Sequence, residues 1–457
     1  MRQLPHGLLA SLLWCSLSVE AYEPDILGTT KGVRHQAVYD DLRGNVACQF
    51  GRLPKQLPLD EVIERILCQD PQTQLSWAHA KIQAAQVGLS RSAYLPRLDG
   101  RLSSSQTDRF DGAHRRYNAA SLELSWVLFD FGRRNAAVRN AHQLLLAANA
   151  NQDATLQGAF AQAAQVYYDA QAAERSLAAS VHVAKLAAEN LEAADARYKA
   201  GTSAISERLQ AQTALSQARL REVRDRGALR NAIGTIALRM GLSPNTPLQL
   251  AVDLTPLPDT HFVKAIDKLL TQAHQEHPAL LAARAQLQAA NAAVEEVRAT
   301  GLPSVVFTAD LSQGRSMTNG DTGEQSHSIG LQLTVPLFDG FGHTYQIRNA
   351  KARVEAEQAN LANAEQQVAL DLWTHYQTLS TETQSLQRTG ELVEQSRQAL
   401  EVIQGRYHSG VGSMVEVLNT LTAYADAEEQ HIQTLSHWQT SRLKLIASLG
   451  QLGFWAL

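Results

Sequence analysis

Aromatic side chains are scarce in this chain, 6% of 457 residues, and cysteine is scarcer still, with three. Few aromatics argue against a thick globular core, because those side chains carry much of a core's buried area. The abundance of alanine and glutamine favours long, exposed helices instead. Charge of one sign is also lacking: 41 lysines and arginines face 45 acids, a net −4. That balance offers no basic field for nucleic acid or an anionic membrane surface. Past the N-terminal segment no run of eighteen apolar residues occurs, which excludes a transmembrane helix and leaves a β-barrel untouched. Catalytic signatures are missing as well: no His-Glu-x-x-His, no phosphate loop with its lysine, no Gly-x-Ser-x-Gly. His431 and His437 are six apart and do not share a helix face, and Gly410-x-Gly412 is a lone pair of glycines in a turn. We therefore expect no enzyme, no cofactor and no metal.

Residues 1–21 read as a secretory signal, with Arg2, an apolar core over 8–15, and Val19-Glu20-Ala21 as the cleavage site. The alternative is a buried N-terminal helix. Trp14 is too bulky for lipoprotein cleavage at Cys15. Removing the signal leaves Cys48 and Cys68, an even pair in an oxidising compartment that suits a disulfide. Two buried free thiols are the other reading.

What the chain has in plenty is itself. Leu128-Phe129-Asp130 returns as Leu337-Phe338-Asp339, 209 residues on (130 to 339). At that offset Arg139-Asn140-Ala141 returns as Arg348-Asn349-Ala350, and Arg197-Tyr198 with Gly201 as Arg406-Tyr407 with Gly410. Asp70-Pro71 answers His277-Pro278, and Tyr94-Leu95-Pro96 answers Gly301-Leu302-Pro303. Two collinear copies make one pseudo-symmetric body. The expected order is an extended arm over 22–58, repeat 1 over 59–241, a proline-bearing linker outside the helical body over 242–266, repeat 2 over 267–450, and a tail over 451–457. Each repeat holds a helix, a β-hairpin (about 97–128 and about 303–337), a long helix, a tip turn (198–201 and 407–410) and a return helix.

The hairpins alternate strictly. Leu122, Leu124, Trp126 and Leu128 oppose Glu123 and Ser125, while Val305, Phe307, Ala309 and Leu311 oppose Thr308, Asp310 and Ser312. A loop is expected over 313–326, followed by Ile329, Leu331, Leu333 and Val335. Alternation of this kind fits a lipid-facing barrel strand or a half-buried soluble strand equally. Between hairpins the helices are far longer than globular domains use: 133–199 has no proline and only Gly158. The last helix carries Met414, Leu418, Leu421, Ala425, Ile432 and Leu435 on a coiled-coil register. Four strands cannot close a barrel, and open edges are not tolerated in lipid. Strands in a membrane would therefore require several copies of the chain.

These motifs, in their order and duplication, resemble the TolC-like outer-membrane factor family over essentially the whole mature chain. The resemblance implies a mainly α fold with a small β part. It implies a homotrimer with a twelve-stranded barrel in outer-membrane lipid, four strands per chain, on a long periplasmic helical tunnel. Its partners would be a periplasmic adaptor and an inner-membrane ABC or proton-driven transporter, with no nucleic acid. Leu67-Cys68-Gln69-Asp70-Pro71-Gln72-Thr73 with Trp77 resembles the CyaE-type, type I secretion subgroup. Type I protein secretion is thus favoured over small-molecule efflux. A soluble periplasmic coiled-coil scaffold is the reading from another class. Trp126, Phe129 and Phe338 would form an aromatic girdle at the membrane interface, and Asp130 and Asp339 would cap the descending helices. Gly201 and Gly410 would stop the helices at the tips. At the periplasmic gate the resemblance places Tyr407, its partner Glu207, and the pore-facing pair Glu416 and Asn419. Gly412 stands where some members carry a gate arginine.

Overall fold

The structure, a computed structural model, describes residues 25–34, 48, 50–108, 114–251, 266–316 and 322–453. The expected signal over 1–21 lies outside them. Repeat 1 opens with helices α1 (Leu59–Gln69) and α2 (Pro71–Ser92). The break is chemical: Pro71 takes the first position of α2, and Asp70 accepts from Gln72 N at 2.6 Å and Thr73 N at 3.3 Å. Then come strands β1 (Arg97–Asp108) and β2 (His114–Phe129), the long helix α3 (Arg133–Lys199) and its return, α4 (Ile205–Arg239). Repeat 2 answers with α5 (Ile266–Glu276), α6 (Pro278–Thr300), β3 (Ser304–Ser316), β4 (Thr322–Thr334), α7 (Gly342–His408) and α8 (Met414–Ser448). Its break is the same device, with His277 Nδ1 accepting from Ala279 N at 3.2 Å and Pro278 next in line.

α3 and α7 each contain 67 residues, about 100 Å at 1.5 Å per residue. Both end in the same hydrogen-bond pattern. Thr202 N donates to Arg197 O and Gly201 N to Tyr198 O, with Gly201 at φ 71°; Val411 N donates to Arg406 O and Gly410 N to Tyr407 O, with Gly410 at φ 86°. A left-handed glycine closing both bonds is the least strained way to stop a helix of this length.

The four strands form one antiparallel sheet in the order β1-β2-β3-β4, so the β2–β3 pairing joins the repeats. Register puts Leu98, Leu124, Ala309 and Ile329 in one row and Asp99, Glu123, Asp310 and Ser328 in the next. One face is therefore apolar and the other polar, and in the single chain both are exposed. β1 and β4 have open edges. The second hairpin departs from expectation: its strands run to Ser316 and resume at Thr322, so most of the expected loop over 313–326 is sheet. β4 stops at Thr334, short of 337, because Pro336 offers no N–H and biases the residue before it.

The main core lies where α1 crosses α3. Val62, Ile63 and Ile66 pack on Phe160, Ala163, Ala164 and Tyr167, with Ile236 and Ala237 of α4. The linker corrects the sequence reading here. Leu248 and Leu250 are buried in this core, and Leu57 pairs with Leu250 through Leu57 N to Gln249 O at 2.8 Å and Ala251 N to Leu57 O at 2.9 Å. Tyr167 OH donates to the carbonyls of Leu57 and Ala251. Residues 242–251 thus belong to the helical body, while 252–265 lie outside the described residues. The arm is not simply extended either. Asp25 organises a turn over Thr29 and Thr30, and Val33 packs on Ala84, Val87, Ala141 and Leu145. Cys48 and Cys68 are joined, Cα to Cα 5.6 Å, which staples the arm to α1. Among the described residues no helix is long and apolar enough to cross a membrane.

Candidate functional site

Two sets of residues singled out from the sequence come together, at opposite ends of the long helices. At the strand–helix junction, Asp130 is buried and its Oδ2 accepts from Arg134 N at 3.1 Å and Arg134 Nε at 2.8 Å. Arg134 also donates to Val127 O at 2.6 Å and lies 4.6 Å from the Tyr94 ring. In repeat 2, Asp339 Oδ2 accepts from His343 N at 2.6 Å. Each aspartate thus satisfies a free N–H of the helix's first turn. They do so from two residues before the formal cap, which is Gly132 or Phe341 in left-handed conformation. The chain needs that kink to turn from sheet to helix. Phe131, at φ 49°, and Phe341 sit in strained backbone and turn exposed rings outward beside Phe129 and Phe338, at 4.7 Å and 5.5 Å. Trp126 Nε1 donates to Tyr94 O at 2.9 Å. Trp126 and Asp130 thus meet through Tyr94 and Arg134 beside Phe129 at the repeat 1 junction, while Phe338 and Asp339 form the corresponding junction of repeat 2. Arg134 and Phe131 were missed, although an acid and a base four apart at a helix start was a readable signal for the first.

At the tips, Tyr407 is 1% exposed, packed among Ala194, Ala211, Met414 and Val417. Its hydroxyl donates to Glu207 Oε2 at 3.2 Å. Arg197 donates from Nη1 to Tyr407 O at 3.0 Å and lays its guanidinium 4.5 Å from the ring centre. Burial, with the Glu207 carboxylate beside it, pushes the Tyr407 hydroxyl's pKa up and keeps it a hydrogen-bond donor. Gly412 lies against this tyrosine: a Cβ there would come 3.0 Å from Tyr407 N. No side chain, arginine included, fits without moving the turn. Arg197, which sequence reading used only to mark the repeat, is the cation that holds Tyr407.

Glu416 and Asn419 are not part of this contact. Both are exposed on α8, one turn apart, and Ser413 Oγ accepts from Glu416 N at 3.3 Å as the helix cap. Nearby, Asp195 pairs with Arg208 at 3.0 Å and Lys199 at 2.6 Å. No group of histidine, cysteine, aspartate and glutamate suited to a metal occurs among the described residues.

With this geometry in view, the likenesses to known proteins are specific. Residues 62–242 and 269–451 match the outer membrane efflux protein family, one span for each repeat. The chain is 33% identical over 407 residues to protein CyaE of Bordetella pertussis, covering 87% of this chain and 85% of that one. It is 23% identical over 424 residues to outer membrane protein TolC of Salmonella enteritidis, covering 88% and 84%. The fold superposes on the solved structure of CusC with TM-score 0.76 at 18% identity, covering 89% of this chain and all of that one. It superposes on the outer membrane protein VceC of Vibrio cholerae with TM-score 0.74 at 20% identity, covering 86% and 96%. A sheet with an apolar face, twin helices of about 100 Å, and a family match over both repeats converge: the chain belongs to the outer membrane efflux protein family and is an outer-membrane channel protein reaching into the periplasm.

Proposed function

We propose that three copies of this chain form the exit duct of a tripartite exporter, working with a periplasmic adaptor and an inner-membrane transporter. The observation that supports assembly is the sheet: four strands, two open edges and an exposed apolar face. Open edges in lipid leave N–H and C=O groups without partners, and copies joined edge to edge remove them. Three copies would contribute twelve strands, the number the family resemblance implies. A soluble scaffold reading falls with the family membership.

Type I protein secretion is the favoured cargo route, supported by the Leu67–Thr73 stretch with Trp77 and by the 33% identity to CyaE. Small-molecule efflux is the second reading. It draws on relatives such as the solvent efflux pump outer membrane protein SrpC of Pseudomonas putida, 22% identical over 81% of this chain. Deleting the gene separates them: loss of a large secreted protein from the medium with unchanged solvent and antibiotic tolerance supports secretion, and the reverse supports efflux.

The tips would form the gate. Tyr407 and Glu207 tie α7 to the start of α4, and Glu416 with Asn419 from three copies would ring the entrance, favouring cations. Neutralising both acids, Glu207→Gln with Glu416→Gln, is expected to raise single-channel conductance in planar bilayers and lower its cation preference. Unchanged conductance and selectivity would sink the gate assignment.

A further inference from the structure

The tip contact within one chain is asymmetric in a way the repeat makes legible. Arg197 and Glu207 belong to repeat 1, and together they hold Tyr407 of repeat 2. Every member has a mate of the same residue type 209 positions away: Arg406 for Arg197, Glu416 for Glu207, and Tyr198 for Tyr407. The second trio does not form within the chain. Arg406 and Glu416 are exposed and their side chains have no partner among the described residues. Tyr198 is 36% exposed against 1% for Tyr407, with Arg208 5.8 Å from its ring centre.

The apolar surroundings divide in part the same way, although the mates of the buried Val417 and Ala211 are the polar Arg208 and Thr420. Met414 is 0% exposed beside Tyr407, whereas its mate Ile205 is 52% exposed. Leu418 and Ala193 pack on the buried cluster, whereas their mates Leu209 and Val402 are exposed. One half of a duplicated contact is thus filled, and the other is left with its cation, its carboxylate, its tyrosine and part of its apolar floor facing solvent. The filled half shows the charge and shape complementarity that the empty half requires.

We infer that the second trio forms between copies, with Tyr198 of one chain seated between Arg406 and Glu416 of the next. The tyrosine hydroxyl donates to one oxygen of the Glu416 carboxylate, leaving the other toward the pore, the guanidinium of Arg406 covers the ring, and Ile205 and Leu209 of the first copy meet Val402 of the second. Contacts within and between chains then alternate around the tip as near equivalents. This interface rests on the proposed assembly of several copies and names the residues that make it at the entrance.

The test uses the full chain in outer membranes, carrying Tyr198→Cys together with Arg406→Cys and treated with a short bifunctional thiol reagent. All the altered side chains are exposed, and the native cysteines are already joined to each other. The expected result on a denaturing gel is a shift from the monomer band to covalent dimer and trimer, with each single variant staying monomeric. The mass of the unaltered protein in mild detergent, measured by light scattering, separates this interface from the assembly itself. A trimeric mass with no covalent oligomer from the double variant overturns this interface and leaves the assembly standing. A monomeric mass overturns both.

Discussion

The two long helices are matched in length and in their ends, yet they live differently. α3 buries 23 of its 67 residues and α7 only seven. α3 is packed by α1, α2, α4, α6 and α8, and much of its buried surface is alanine, so its neighbours approach closely on several sides. α7 packs chiefly on α5, α6 and α8, touches α3 and α4 only towards the tip, and leaves Leu370, Trp373, Leu392 and Val402 exposed. Duplicated sequence therefore does not mean duplicated burial. The return helices reverse the order, α4 of repeat 1 burying five of its 35 residues and α8 of repeat 2 sixteen. Each repeat thus has one helix at the centre and one at an edge, and the edges α4 and α7 must find their missing flanks in another chain.

The sharpest way to test that contrast is to cut the same side chain from both helices. Tyr167 and Tyr376 are mates at the 209-residue offset. Tyr167 is fully buried and donates to two carbonyls; Tyr376 is only partly buried. Tyr167→Ala should cost about 3–5 kcal/mol, since it opens a cavity in the main core and removes a buried hydroxyl that both carbonyls share. Tyr376→Ala should cost about 1 kcal/mol. Equal losses in denaturant titrations would break the comparison.

Next in size is the edge of α7. Trp373→Asp, at a half-exposed position, should leave helix content by circular dichroism within a few per cent of the unaltered protein, as surface substitutions usually do. It should still dissociate the assembly in detergent. A trimer that survives it would remove α7 from the interface.

The smallest effect concerns acid. His277, His375 and His431 all sit in repeat 2, and burial lowers the pKa of each, with Asp371 opposing it at the first two and Glu428 at the third. Lys444 lowers His375 further, and Arg175 lowers His431. Folding thus holds these pKa values below the unfolded histidine value of about 6.5. As pH falls through that value the unfolded chain takes up protons first, so stability is full above it and declines below. Tm should drop between pH 7.5 and 5.5, and hydrogen exchange should quicken in α7 and α8 before α3. A triple histidine-to-glutamine variant should flatten the dependence; an unchanged slope would assign it elsewhere.

Much of the candidate site was legible because it depends on local rules. Proline at the first helical position, glycine at the tips, aspartate before a helix and strict alternation in the hairpins each report a nearby backbone constraint. Arg197 was not legible, since its partner is Tyr407, 210 residues away. Leu248 and Leu250 were not legible either. Prolines around them read as linker, and only the bridge to Leu57 and the space beside Tyr167 make that segment part of the core.

Sequence by itself determined the duplication, the helix lengths, the two faces of the sheet and the turn chemistry, because each follows from periodicity or from a residue's own backbone preference. Tertiary structure alone decided which of two matching tyrosines is buried, which helix sits at the centre and which at the edge, and that a side chain at Gly412 would crowd the backbone of Tyr407. Those outcomes depend on distances between residues far apart in the chain, and no local pattern encodes them.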